Sequence, residues 1–354
     1  MTPTNLEIAE LLAHRGEQAD GHRAKAYERA AGAALYWDTE ATEFVKRGGS
    51  LEELDYVGPS IARRIAEWLR DSAGAPEPPP KRVGFSTFAR ARSVLAAAPG
   101  WEERLRSDLQ MHTTYSDGKS SIREMALRAA ALGYSHIAIT DHSQGLKIAG
   151  GMDAARLGQQ AAEIAAVNSE MLAEGLDFRI LHGLEMNLDG RGEGDMEAGT
   201  IEPLDVVVGS FHSALRSADD QTDRYLGALA NPHVQIVGHP SCRRFNRRPG
   251  LTADWLRIME AAAHSGTALE INAHPHRQDL SLDLLRLAAD AGVELSIGTD
   301  AHDTQELRFA PLALTRAAEA GVEPGKIVNF WPRHELSEWI ARCRARGTHS
   351  DDRK

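Results

Sequence analysis

Imidazole and carboxylate side chains recur where short apolar segments of this chain end. The first of these segments closes with His112, and Asp117 follows five residues later on a Ser-Asp-Gly turn. Histidine nitrogens and carboxylate oxygens are common protein ligands of divalent transition metals. One such pair is weak evidence, because a single buried histidine is more often satisfied by hydrogen bonds than by a metal. The first segment alone therefore leaves a metal ligand and a structural histidine both open.

Later apolar segments end in the same residue types. Each has a structural alternative, since His-Pro is usually a turn and Asp-His often caps a helix. Chance would also scatter such residues along helices, whereas here nearly all of them follow a strand-like segment. Their joint placement therefore predicts one shared metal centre. The residues concerned are His142, Glu185, His212, His239, Asp300 and His302.

Residues 101–345 supply the elements that would bring these side chains together. Short apolar strands alternate with amphipathic helices there, which is the pattern of a parallel sheet or barrel. In a (β/α) barrel the carboxyl ends of the strands converge on one mouth. The predicted strands are 108–112, 136–140, 179–185, 205–210, 234–238, 268–272 and 294–299, and the helices between them include 121–132, 153–172, 252–263 and 281–291.

The sequence predicts a small, all-α domain over residues 1–72. Asn5 is the expected cap of the first helix, and Ser50 with Glu53 has the capping-box pattern. The Gly58 turn then leads into an amphipathic segment over 61–69. Two short helices around a glycine turn are typical of a helix-hairpin-helix, whose N–H groups hold a phosphate; an ordinary helical turn also fits. The candidate DNA contacts are Gly58, Ser60, Arg63 and Arg64.

Composition limits the classes of function. The net charge of −11 shows no overall basic bias, and residues 1–71 hold 9 Lys/Arg against 13 Asp/Glu, which argues against tight, extended DNA binding. No apolar run of 18 residues and no signal-peptide pattern occur, so we expect a cytoplasmic protein without a membrane span. The two cysteines argue against a disulfide framework. The remaining predicted parts are a Pro-rich linker with a connecting helix at 73–100, a barrel domain at 101–346 and a tail at 347–354.

Two longer segments carry a family resemblance. The stretches 140–151 (TDHSQGLKIAGG) and 271–280 (INAHPHRQDL) resemble the PHP (polymerase and histidinol phosphatase) domain that ends bacterial family X DNA polymerases. Residues 1–72 resemble the N-terminal DNA-end-binding domain of the same family. The resemblance implies a distorted seven-stranded (β/α)7 TIM-like barrel with two to three divalent metals, Zn, Mn or Fe. It assigns His112, Glu185 and Asp300 to one metal, Glu185, His212 and His239 to a second, and Asp117, His142 and His302 to a third.

The chain departs from the family at several positions. Gln110 stands where most PHP domains have a histidine, so we expect a weak ligand or a supporting group there. Tyr56 replaces the first hairpin glycine, and a side chain resists the positive φ that glycine permits. Arg64 and Ser60 stand at lysine positions of lyase-active relatives, and a guanidinium forms no imine at neutral pH. The interval 72–100 has neither the length nor the aspartates of a nucleotidyl-transfer domain. We therefore expect neither lyase nor polymerase activity.

Such a centre requires cations to orient a phosphate. Arg243, Arg244, Arg247 and Arg248 follow His239, and guanidinium groups pair well with phosphate; a solvated run of charge is the alternative. Arg277 and Lys147 lie in family-like loops and are further candidates, whereas Cys242 is expected to be incidental.

The leading hypothesis is a metal-dependent phosphoesterase (EC 3.1) acting on DNA ends as a 3′→5′ exonuclease or a 3′-end processing enzyme. One alternative is a small-molecule phosphomonoesterase of the histidinol-phosphatase type, which the acidic net charge favours. Another is a non-catalytic protein that binds DNA ends.

Overall fold

A computed structural model describes residues 2–346, so the tail predicted at 347–354 lies outside the described residues. The chain divides into two compact units. The first comprises the residues up to Pro99 together with Arg243–Gly250 and Pro275–Gln278, and the second comprises the remaining segments from Gly100 onwards. The first unit thus includes two short segments from later in the chain. The domain boundaries at 72 and 100 stay a prediction.

The first unit is helical. Its helices are α1 (Asn5–Glu17), α2 (Gly21–Ala33), α3 (Ala41–Lys46), α4 (Pro59–Asp71) and α5 (Phe88–Ala97), with 3-10 turns at Leu51–Glu53 and Pro80–Arg82. Thr4, rather than Asn5, caps α1 and forms a capping box with Glu7. The Asn5 side chain instead bonds the backbone of Thr39 and Ala41. Apolar residues at helical spacing on α4, Ile61, Ile65 and Trp68, are buried in the core of this unit.

The turn before α4 has Tyr56 in place of the first hairpin glycine. Ser50 and Glu53 form the predicted capping box, although on a 3-10 turn. Tyr56 adopts a left-handed φ of 61°, and its side chain is 59% exposed. Gly58 is the N-cap residue of α4, and Pro59 begins that helix. The expected resistance of Tyr56 to a positive φ is therefore overcome in this turn.

The second unit is the predicted barrel. Its strands are β1 (Ser107–Asp108), β2 (His136–Ile139), β3 (Arg179–Leu188), β4 (Val206–Phe211), β5 (Ile236–Val237), β6 (Ala268–Asn272) and β7 (Leu295–Gly298). All neighbouring pairs are parallel, and the strands follow one another in chain order. Backbone bonds from Leu109 N to Ile297 O (3.3 Å) and from Asp300 N to Gln110 O (3.0 Å) link the first segment to the last. The result is a nearly closed (β/α)7 TIM-like barrel, as predicted.

Helices flank the strands of the barrel. The helices are α6 (Ile122–Ala131), α7 (Ala154–Ala173), α8 (Ala198–Ile201), α9 (Thr222–Ala230), α10 (Trp255–Ser265), α11 (Leu282–Asp290), α12 (Ala310–Glu319) and α13 (Arg333–Ala345). Residues Leu336 and Trp339 of α13 join Leu109, Val208 and Ile236 in one buried apolar cluster. Within the described residues, helices of sufficient length and apolarity to cross a membrane do not occur.

Candidate metal centre

Parallel strands deliver the candidate ligands to one end of the barrel. His212 directly follows β4, His239 lies two residues after β5, and Asp300 lies two residues after β7. His142 comes three residues after β2. Glu185 lies inside β3, which continues to Leu188 instead of ending at Glu185 as predicted.

The Glu185 carboxylate is the common neighbour of four histidine rings. Its Oε1 lies 3.0 Å from His239 Nε2 and 3.4 Å from His212 Nε2. Its Oε2 lies 3.0 Å from His142 Nδ1 and 3.4 Å from His112 Nε2. The side chain is fully buried. One carboxylate therefore has both oxygens directed at imidazoles from four different segments, the arrangement expected of a group that bridges two cations.

The remaining predicted ligands extend this cluster on one side. His112 Nε2 lies 3.2 Å from Asp300 Oδ1. Asp117 Oδ1 lies 3.3 Å from His302 Nε2 and 3.6 Å from His142 Nε2. One ligand atom from each of His112, Asp117, His142 and His302 lies within 4.8 Å of the others. All eight residues named from the sequence thus lie in one connected group, and their role as ligands stays a prediction.

Unpartnered buried atoms test whether the group fits a metal. Both ring nitrogens of His112, Nε2 of His212 and Oε2 of Glu185 are buried without a hydrogen-bond partner among residues 2–346. Burying such atoms unpaired is costly, so native proteins seldom leave them without a partner. Imidazole nitrogens mixed with carboxylate oxygens suit Zn²⁺, Mn²⁺ or Fe²⁺. The residues present therefore fit divalent metals.

Electrostatics set the protonation states of these groups. Burial would raise the pKa of Glu185, but the surrounding rings of His142, His212 and His239 hold it well below the usual value. Burial and the charges of neighbouring histidines lower the pKa of His112. For His302, burial is outweighed by the hydrogen bond to Asp117, and its pKa rises to about 9. Since a metal requires a neutral imidazole, binding at His302 would release a proton.

Asp141 is fixed as a structural residue. Its carboxylate accepts bonds from Thr113 N (2.7 Å), Thr113 Oγ1 (2.6 Å), Ser116 Oγ (2.5 Å) and Gln160 Nε2 (2.6 Å). These bonds anchor the loop that carries Asp117. Asp141 itself directly precedes His142 in the sequence. The Asp-His pair therefore combines a loop anchor with a candidate ligand.

Two supporting residues on β6 were missed by the sequence reasoning. Glu270 Oε2 accepts a bond from the backbone N of His239 (2.5 Å) and one from Asn272 Nδ2 (3.1 Å). Asn272 Nδ2 also lies 3.3 Å from Asp300 Oδ2. Burial, reinforced by Asp300, raises the pKa of Glu270 well above its usual value. The signal was the Glu-Ile-Asn alternation, because residues two apart on a strand share a face.

These bonds coincide with backbone strain at two candidate ligands. His239 has a φ of 29° and Asp300 a φ of 55°, both positive values that residues other than glycine seldom adopt. Such residues cost on the order of 1–3 kcal/mol and persist where neighbouring groups hold them. Glu270 and Asn272 supply that support, so we infer that they position His239 and Asp300.

Gln110 is buried two residues before His112. The side chain is 1% exposed, and its amide oxygen and nitrogen have no hydrogen-bond partner within the described part of the chain. A Cβ at Gly298 would meet Gln110 Cβ at 2.5 Å, so that glycine makes the close approach possible. Its role as a weak ligand or supporting group stays a prediction.

The candidate phosphate-binding residues differ in burial and in the groups they contact. Arg243 is buried, its guanidinium lies 4.0 Å from the centre of the Phe85 ring, and its Nη2 donates to Val83 O at 2.7 Å. Arg248 and Arg277 are half-buried and belong, like Arg243, to the first compact unit. Lys147 is exposed on a 3-10 turn of the barrel unit. Arg243 therefore has a packing role that its sequence neighbourhood did not indicate, and the phosphate-orienting role of all four residues stays a prediction.

The hairpin candidates lie at the start of α4. Gly58, Ser60 and Arg63 are exposed, while Arg64 is half-buried and pairs with Glu67 at 2.7 Å. The N-terminal end of α4 is exposed, which leaves its backbone N–H groups accessible to an anion. Their contact with DNA stays a prediction.

Comparisons with known proteins agree with this geometry. Residues 108–274 match the PHP domain family model. The Bacillus subtilis protein named DNA polymerase/3′-5′ exonuclease PolX is 41% identical over 240 residues, which are 68% of this chain. The chain covers 41% of the length of that relative.

Smaller relatives are matched over most of their length. A probable phosphatase of Syntrophotalea carbinolica is 28% identical over 233 residues, 63% of this chain and 90% of that protein. A probable phosphatase of Edwardsiella ictaluri is 29% identical over 240 residues, 65% of this chain and 91% of that protein. Residues 108–274 are therefore a PHP domain, and the chain resembles the family X DNA polymerases.

Proposed function

We propose that this chain is a metal-dependent phosphoesterase that acts on DNA ends, as a 3′→5′ exonuclease or a 3′-end processing enzyme. The observation that carries the proposal is the Glu185 cluster. Both oxygens of one buried carboxylate face histidines from four segments, while several buried nitrogens lack a hydrogen-bond partner in residues 2–346. A structural cluster would pair these atoms within the protein.

The candidate ligands would hold the metals in the sets that the family resemblance implies. Divalent metals bound there would activate water and neutralise the charge of a phosphoester. Glu185 contributes a carboxylate kept ionised by its histidine neighbours. Glu270 holds the backbone of His239, and Asn272 holds the carboxylate of Asp300, so both candidate ligands are fixed before a substrate arrives. The exposed ammonium group of Lys147 is available to orient a phosphate.

The choice of DNA rests on two observations. A protein whose name includes a 3′-5′ exonuclease is 41% identical over 240 residues, and the helical unit carries the hairpin turn with an exposed Gly58. The second candidate function is a small-molecule phosphomonoesterase. It is favoured by the relatives named probable phosphatase, which match the chain over about nine-tenths of their own length.

A direct assay separates the two functions. The purified chain is loaded with Mn²⁺ and given a 5′-labelled single strand, and in parallel histidinol phosphate. A ladder of products shortened from the 3′ end supports the exonuclease, whereas phosphate release from the small ester alone supports the alternative. Hydrolysis of neither substrate by protein with measured metal content would contradict both. Glu294→Gln is a matched control, because Glu294 pairs with Lys326, away from the candidate ligands.

A further inference from the structure

A cavity of about 460 Å³ opens within the first compact unit. One wall is the face of α2 that carries Lys25 and Arg29, which lie four residues apart and therefore project from the same side of the helix. The other wall is the loop that carries Arg244 and Arg247. Its size is that of a typical small-ligand site.

The lining is strongly basic in an acidic protein. Lys25, Arg29, Arg244 and Arg247 are all exposed, whereas Glu28 is the lining residue with a carboxylate, and it pairs with Arg247 at 2.8 Å. The whole chain has a net charge of −11. Four cations beside one carboxylate leave a net positive charge in the concavity, which an anion would neutralise. The pattern differs from a solvated charge run, because it joins segments more than 200 residues apart in sequence.

The floor of the cavity depends on a glycine. A Cβ at Gly32 would approach Nε2 of His276 to 2.7 Å, so the absence of a side chain lets His276 lie against α2. The rings of His276 and Tyr36 have centroids 6.2 Å apart. The lining therefore combines guanidinium and ammonium groups with aromatic and imidazole rings.

Tyr56 completes the rim with an exposed aromatic face. Its ring lines the cavity and its side chain is 59% exposed, on the hairpin turn where its φ is 61°. A tyrosine in the left-handed region is uncommon, and exposed aromatic rings beside cations are the platforms on which nucleic-acid bases stack.

We propose that this cavity binds a phosphorylated nucleotide unit, with arginine pairing to its phosphate and Tyr56 stacking on its base. The unit is supplied by a nucleic-acid strand or by a free nucleotide, which share this chemistry. The cavity shares Tyr56 with the hairpin turn, but its lining does not include the DNA contacts predicted from the sequence, Gly58, Ser60, Arg63 and Arg64. It also goes beyond the proposed hydrolysis, because binding here needs no metal.

The test measures binding of the full chain to a fluorescein-labelled twelve-residue oligothymidylate by anisotropy, in EDTA so that hydrolysis cannot occur. Arg29→Glu and Arg244→Glu are each expected to raise Kd about tenfold in low salt and to flatten the salt dependence, since each lost phosphate contact removes about 0.7 from the log–log slope. Tyr56→Asn, which tolerates the left-handed φ, is expected to raise Kd about tenfold by loss of stacking.

Arg15→Glu is the matched control, because Arg15 is an exposed helical arginine outside the cavity lining. Displacement of the oligonucleotide by thymidine monophosphate at a similar concentration would identify a free nucleotide as the ligand, and its failure to compete would identify a strand. Equal affinity of Arg29→Glu, Arg244→Glu and Arg15→Glu would overturn the proposal, as would the absence of binding by the wild type to either probe. Glu185→Gln should bind like the wild type, which separates this site from failure of the catalytic proposal.

Discussion

Two buried clusters of charged residues in this protein differ in how completely their polar atoms are hydrogen-bonded within the protein. In the helical unit, the Arg82 guanidinium is 4% exposed and bonds Glu10 twice, at 2.7 and 2.8 Å. It also bonds Glu17 and Asn246, each at 2.7 Å. In the barrel, the Glu185 cluster leaves both ring nitrogens of His112 and one of His212 without a hydrogen-bond partner among the residues described.

The difference separates a structural cluster from a binding site. Charges buried during folding need partners, and a cluster that finds them all inside the protein has nothing left to bind. A cluster that holds opposed groups close together, yet leaves buried nitrogens unpartnered, is organised for a ligand from outside. Substitutions in the Arg82 cluster should therefore affect stability, and those in the Glu185 cluster should affect metal content and hydrolysis.

The largest effect is expected from Arg82→Met. Loss of the guanidinium leaves the buried Glu10 carboxylate unpaired, which should lower the free energy of unfolding by about 3–5 kcal/mol. Urea unfolding measures the change. Arg70→Met is the control, because its pair with Asp71 is exposed and should contribute less than about 1 kcal/mol. Equal effects of the two substitutions would contradict a structural role for the Arg82 cluster.

Glu185→Gln should disrupt the second cluster, the candidate metal centre. Loss of outer groups that merely orient metal ligands costs about 10–100-fold, so loss of the shared carboxylate should reduce hydrolysis by about 100-fold or more. Elemental analysis should show less bound metal, while the circular dichroism spectrum stays that of the wild type. Full metal content and activity in this variant would refute the assignment of Glu185 as a ligand.

His136 is a buried histidine that is not a candidate ligand. It therefore tests whether burial by itself gives a histidine a role in metal binding. Burial, with the nearby charges of Arg333 and Arg106, lowers its pKa to about 4, so the folded protein favours the neutral ring. The unfolded chain binds the proton at pH values below about 6.5. Stability is therefore complete above pH 6.5 and falls as the pH drops toward 4, by about 2 kcal/mol at pH 5.

The measurement compares urea unfolding of the wild type and His136→Gln at pH 7 and pH 5. The variant should lose less stability on acidification, with unchanged metal content at pH 7. An identical pH dependence in the two proteins would contradict the lowered pKa.

The smallest of these effects is expected from Asn272→Ala, which removes the bond to Asp300 and the contact to Glu270. Removal of a group that positions a ligand should weaken metal binding about tenfold without abolishing it. Competition with a chelator measures the affinity. Asn231→Ala, on the loop after α9, is a suitable control because its side chain bonds backbone groups. An unchanged affinity would remove Asn272 from the positioning role.

Much of the fold could be predicted from local pattern. Apolar segments alternating with amphipathic helices gave the seven strands and their parallel order, and the capping residues gave the helix starts to within a few residues. The errors were local as well: Thr4 caps α1 in place of Asn5, and β3 extends past Glu185 to Leu188. Tyr56 adopts the left-handed φ that its side chain was expected to resist.

The candidate ligands were named from the sequence, but the hydrogen bonds that hold them in position were not. The eight candidate ligands follow from residue type and position at strand ends. Glu270 and Asn272 were missed because alternation places both on one face of β6 but does not show which groups that face contacts. Their function depends on bonds to His239 and Asp300, which come from neighbouring strands.

The sequence by itself determined which side chains stand at the carboxyl ends of parallel strands, because strand direction and side-chain alternation are local properties. Only the tertiary structure decided that Glu185 lies among four histidines, that Arg243 packs on Phe85, and that Arg244 faces the same cavity as Arg29. Those relations join residues distant in the chain, and they depend on packing distances that no local pattern of residues contains.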